Sequence, residues 1–149
     1  MIPPISTIRL SYMPPLKPKE RTTIHSSHQA FEAFFNHWDK TTISLQESFL
    51  VLLLDKHKKA LGIATLSIGG MEGTVVDIRQ LMAVVLGANA AHFILAHNHP
   101  SGDTNPSPLD LQVTQKIQKA ADCLGVQLVD HLIISPQKSY TSLLDKALL

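Results

Sequence analysis

Apolar residues recur at spacings of three and four in residues 26–38, where Phe31, Phe34, Phe35 and Trp38 form one stripe. That period belongs to one face of a helix, and Ser26 and Ser27 are both suited to cap its start. Residues 49–54 are then continuously apolar, as a strand buried on both faces is. A turn at Lys56, His57, Lys58 and Lys59 leads into residues 61–68, whose partial alternation predicts a hairpin partner. Gly69, Gly70 and Gly73 predict a loop, with a short strand at 74–76 after it. Residues 78–86 read as a helix with Leu81, Met82, Val85 and Leu86 on one face and Gly87 near its end.

A strand at 92–96 feeds directly into HNHPSGDTNPS, a segment crowded with turn formers. A long helix is predicted from Pro108 to Leu124, stopped by Gly125, and a strand follows at 126–134. Tyr140 and Thr141 can add a short edge pairing. Strands and helices interleave, but the adjacent strands within 49–68 require an antiparallel pair. The fold class is therefore α/β, with a mixed sheet flanked by helices.

Composition bounds this picture. The 149 residues suit one domain. Prolines at 3, 4, 14, 15 and 18 predict an extended, mobile segment over 1–25, leaving 26–149 as a single domain. The net charge is +1 with histidines neutral, too little to drive sequence-independent binding to nucleic acid. The lone Cys123 excludes an internal disulfide and a multi-cysteine metal site. Its place in the helical pattern predicts a small buried side chain. The N-terminus lacks the pattern of a secretory signal, and no apolar run is long enough to span a membrane, so a cytoplasmic setting is expected.

The chemistry concentrates in residues 96–110, AHNHPSGDTNPSPLD. Alternation along the strand puts His97 and His99 on the same face, able to converge on one ion. Zinc in a hydrolase takes three protein ligands and leaves a fourth position for water. Asp110, in the first turn of the next helix, is the natural third ligand once the loop folds back. Ser107-Pro108-Leu109-Asp110 is also a good helix N-terminus, which explains Ser107 and Asp110 without any metal. It leaves the histidine pair unexplained. A base must handle the water's proton, and the acidic candidates are Glu47, Glu72, Glu20 and Glu32. Glu47, just before the buried strand, is favoured; its plainer reading is an exposed residue at a strand start.

The order Glu47, His97-x-His99, Ser107 and Asp110 resembles the signature of the JAB/MPN metalloproteases, often called JAMM. The blocks ESFLVLLLD (47–55), GTVVD (73–77), ILAHNHPSGD (94–103), PSPLD (106–110) and DHLII (130–134) are similar to the bacterial RadC-like branch. The likeness extends from about Ser26 to the C-terminus. It implies a fold related to cytidine deaminases and one Zn²⁺ held by His97, His99 and Asp110. It implies further that Glu47 passes the proton of the zinc's water to the leaving amine, and that Ser107 steadies the oxyanion. The expected activity is hydrolysis of a peptide-type amide in a peptide or protein substrate. Two other roles belong to such relatives, a noncatalytic scaffold and a factor associated with DNA repair. The chain departs from the branch at Ile78-Arg79-Gln80, where Pro-Arg-Glu is common. The residues before 26 leave no room for the branch's N-terminal helix-hairpin-helix domain. Asp130 and His131 match a family block and are expected to be structural or to sit behind the ligands.

Overall fold

The computed structural model describes residues 5–7, 11–13, 15–69 and 76–149. The expected strand at 74–76, like Glu72, lies mainly outside the described residues; Val76 itself is in no strand. Helix α1 is Ser27–His37, with the Ser26 hydroxyl accepting from the Gln29 amide. Strands β1 (Ser48–Leu54) and β2 (Ala60–Ile68) form the expected hairpin. Helix α2 (Ile78–Gly87), strand β3 (His92–Asn98), helix α3 (Pro108–Leu124), strand β4 (Gln127–Ile134) and strand β5 (Tyr140–Ser142) follow, and a 3₁₀ turn at Pro18–Glu20 precedes α1.

The sheet is mixed, with strand order β2-β1-β3-β4-β5. Among the described strands only β3 and β4 run parallel, and α3 is the crossover between them, as a parallel pair requires. Every residue of β1 is buried because both faces of the sheet are covered. On one face α1 packs its aromatic stripe against Leu50, Leu52, Ile94 and Ala96. On the other, Leu81, Met82 and Val85 of α2 and Ile117 and Ala121 of α3 cover Val51, Leu53, Phe93 and Leu95. Successive residues of a strand point to opposite faces, so each central strand feeds both cores.

Two expected burials do not hold. Leu86 is exposed: at about 100° per residue it has turned away from the side that buries Leu81, Met82 and Val85. Cys123 is exposed too, because α3 buries the line Thr114, Ile117 and Ala121 and two residues further lies across the helix. Ahead of α1, the Ile24 amide donates to Lys58 O and the Ala60 amide to Thr22 O, and Ile24 is itself buried. No helix among the described residues is long and apolar enough to cross a membrane.

Candidate metal centre

The HNH segment sits where β3 ends on the face shared with α3. His97 lies within the strand and is 1% exposed. His99 comes just past it, where its amide still donates to Ile134 O of the neighbouring strand. The chain then turns at Gly102, whose amide donates to His99 O and whose φ of 89° suits glycine. Thr141 Oγ1 on β5 donates to Thr104 Oγ1 and holds the returning loop. The loop delivers Ser107 and Asp110 to the histidines.

Three donor groups meet there. His97 Nε2 lies 3.0 Å from His99 Nε2. Asp110 Oδ1 lies 3.2 Å from His97 Nε2, and Asp110 Oδ2 lies 3.6 Å from His99 Nε2. A tetrahedron drawn with bonds of ~2.0–2.1 Å, the zinc-to-nitrogen length, has edges of about 3.3 Å. The spacing matches. Glu47, His97 and His99 also offer ligand atoms that all lie within 4.8 Å of one another, so these residues could hold a metal ion.

Glu47 arrives by register. Phe49 pairs with His97 across the antiparallel β1–β3 ladder, and carrying that pairing two residues outward brings Glu47 opposite His99. The Phe49 ring stacks on the His97 imidazole, with centroids 5.8 Å apart and planes 2° apart, which holds the ring in place.

Asp110 serves the helix and the centre together. Its Oδ2 accepts from the Ser107 amide at 2.7 Å and from the Ser107 hydroxyl at 2.8 Å, while Ser107 Oγ accepts from the Asp110 amide at 3.1 Å. This is a reciprocal capping box. The capping and metal readings of the sequence are thus compatible, since Oδ1 remains directed at His97. Burial pushes the Asp110 carboxyl up, but hydrogen bonds with His97 and His99 outweigh it and hold the group well below the usual carboxylate range. Hydrogen bonding to Asp110 in turn raises His99, against the opposing effect of its burial. The Ser107 hydroxyl hydrogen points at Asp110.

Two neighbours, Asn98 and Thr114, were not singled out from the sequence; a third, His131, was expected to be structural or to sit behind the ligands. Asn98 is fully buried on the opposite face, where it bonds the segment that precedes β1. His131 Nε2 lies 2.8 Å from His97 Nδ1, and Thr114 Oγ1 lies 2.6 Å from His131 Nδ1. Burial drives the His131 ring well below the usual histidine range. The signals were available. A polar residue between two histidines on a buried strand needs partners on the other face, and Thr114 falls one turn after Asp110 on the same side of α3.

A family model described as the RadC-like JAB domain matches residues 24–148. A UPF0758 protein of Porphyromonas gingivalis is 46% identical over 104 residues, covering 70% of this chain and 46% of the relative. One from Flavobacterium johnsoniae is 46% identical over 95 residues, 64% of this chain and 42% of its own length. One from Syntrophotalea carbinolica is 36% identical over 135 residues, 91% of this chain and 57% of its own. The chain spans about half the length of these curated relatives.

Proposed function

The chain belongs to the RadC-like JAB domain family, and from that premise we propose that it is a zinc-dependent metallopeptidase or isopeptidase. It would hydrolyse a peptide-type amide in a peptide or protein substrate, in the cytoplasm, using residues 26–149 as one catalytic domain. The observation that carries this reading is the convergence of His97, His99 and Asp110 at 3.0–3.6 Å with Glu47 alongside.

His97, His99 and Asp110 would hold the ion. When bound, zinc supplies the Lewis acidity that makes water nucleophilic near neutral pH and polarises a carbonyl. The remaining work belongs to the chain. Glu47, opposite His99, takes a proton from the attacking water and returns it to the leaving amine nitrogen, which prevents expulsion of an unprotonated amide anion. Ser107 turns its hydroxyl hydrogen from Asp110 to the developing oxyanion. The Ser107 amide still donates to Asp110 Oδ2, so the carboxylate stays oriented while the hydroxyl moves. A net charge of +1 favours this reading over a role on nucleic acid.

The test is zinc content, measured by elemental analysis on protein as isolated and on a His97→Ala/His99→Ala variant. We expect about one ion per wild-type chain and none in the variant. Equal zinc in both would sink the assignment.

A further inference from the structure

The geometry points to Thr114 and His131 as positioning residues that decide which nitrogen of His97 is left bare toward the donor set. The inference rests on the reading of His97 as a ligand, and it follows from where four hydrogens must go.

Thr114 Oγ1 lies 2.6 Å from Asp110 O and 2.6 Å from His131 Nδ1. A carbonyl oxygen can only accept, so the single hydroxyl hydrogen of Thr114 goes to Asp110 O. The hydroxyl oxygen must then accept from His131, which places a hydrogen on His131 Nδ1. The His131 ring is 0% exposed, and a buried imidazole without a carboxylate on either nitrogen stays neutral. With Nδ1 protonated, His131 Nε2 is bare and accepts from His97 Nδ1 at 2.8 Å. His97 therefore carries a hydrogen on Nδ1, which leaves Nε2, facing His99 and Asp110, as the atom available to a metal.

An independent bond sets the second histidine in the same way. His99 Nδ1 lies 2.6 Å from Asp103 O, an acceptor only, so His99 too carries a hydrogen on Nδ1 and turns Nε2 to the donor set. A ligating histidine commonly donates its other N–H to a carbonyl, carboxylate or water, and losing that partner weakens the metal. His99 does this in one step. His97 does it through another imidazole, whose own tautomer is fixed by a hydroxyl anchored to the helix backbone. Removing that hydroxyl leaves His131 Nδ1–H buried without an acceptor. The buried ring escapes the cost by moving its hydrogen to Nε2, which then donates to His97 Nδ1. His97 is left with a hydrogen on Nε2, in the middle of the donor set.

Two measurements on the full chain test this. Long-range ¹H–¹⁵N NMR of metal-free protein assigns the histidine tautomers directly. Titration with Zn²⁺ against a competing chelator gives affinities for wild type, Thr114→Val and Thr114→Ser. The wild-type spectrum should show Nδ1–H on both His97 and His131. Thr114→Val should move the His97 hydrogen to Nε2 and weaken Zn²⁺ by about 10–100-fold, and Thr114→Ser should restore both. A wild-type His97 or His131 without a hydrogen on Nδ1, a Thr114→Val protein with unchanged tautomers, or unchanged Zn²⁺ affinity in that variant would each overturn the inference. The wild-type spectrum decides even if Thr114→Val fails to fold. Expected tautomers in a wild-type chain that binds no Zn²⁺ would instead overturn the metal reading.

Discussion

Asn98 fastens the end of β3 to the start of β1: its side-chain oxygen accepts from the Ser48 amide at 2.7 Å. Its amide nitrogen donates to Ile43 O at 2.7 Å and Gln46 O at 3.0 Å. The residue between the two histidines thus holds the backbone on either side of Glu47. The proposed ligands and the proposed base are thereby set against one another through a single side chain.

Asn98→Ala leaves buried backbone groups without partners, each costing about 1–3 kcal/mol. Denaturant titration should show the lower midpoint. Zinc content should stay near wild type, because no donor is removed, while hydrolysis should fall about 10²-fold as Glu47 loses its position. Full activity in a destabilised variant would mean that Asn98 serves the fold alone.

Glu47→Gln should keep the zinc and lower hydrolysis by about 10²–10⁴-fold. Cleavage of a peptide library, read by mass spectrometry beside the metal content, checks both halves. Glu47 belongs to a group whose ligand atoms lie within 4.8 Å, so loss of zinc in this variant would make it a ligand rather than the base.

Ser107→Ala removes the cap of α3 and one of the two Ser107 hydrogen bonds to Asp110 Oδ2. It should cost about 0.5–2 kcal/mol in stability and weaken Zn²⁺ as well. The proposed oxyanion role adds a fall in kcat of about 10²–10³-fold at saturating Zn²⁺. Ser107→Thr should recover the stability. If Ser107→Ala lowered stability but left kcat untouched, Ser107 would be a cap only.

Asp130 gives a pH signature apart from the donor set. Burial raises its carboxyl above the ordinary 3.8, despite bonds from Ser142, Leu144 and His131 that favour the anion. Between 3.8 and that higher native value, the folded chain holds a proton that the unfolded chain has released. Its contribution to stability is therefore greatest below the unfolded value and declines as pH rises through the native one. The stability of wild type relative to Asp130→Asn should fall with rising pH across that window. A flat difference would show that the carboxyl is not shifted.

Parts of the molecule were legible because local rules fix them. Ser107-Pro108 and Gly125 bound α3 where the sequence places its ends, and the apolar run of β1 could only be a buried strand. Leu86 and Cys123 went astray because a helical pattern gives a period but not the width of the covered stripe. Glu47 needed the register of Phe49 against His97, a long-range pairing that spacing along the chain does not contain. Asn98 was hidden for the same reason, its partners lying 50–55 residues away.

Asp110 both closes the first turn of α3 and belongs to the donor set. On the proposed reading, filling the centre and finishing the helix would therefore be coupled, and the ion would act as a fastener for secondary structure as well as a reagent. Stripping it with a chelator should loosen one end of α3 selectively. Amide exchange should quicken at Ser107 and Leu111, whose N–H groups bond Asp110 Oδ2 and Ser107 O. The far end, closed by the Gly125 amide on Ala121 O and Asp122 O, should keep its protection.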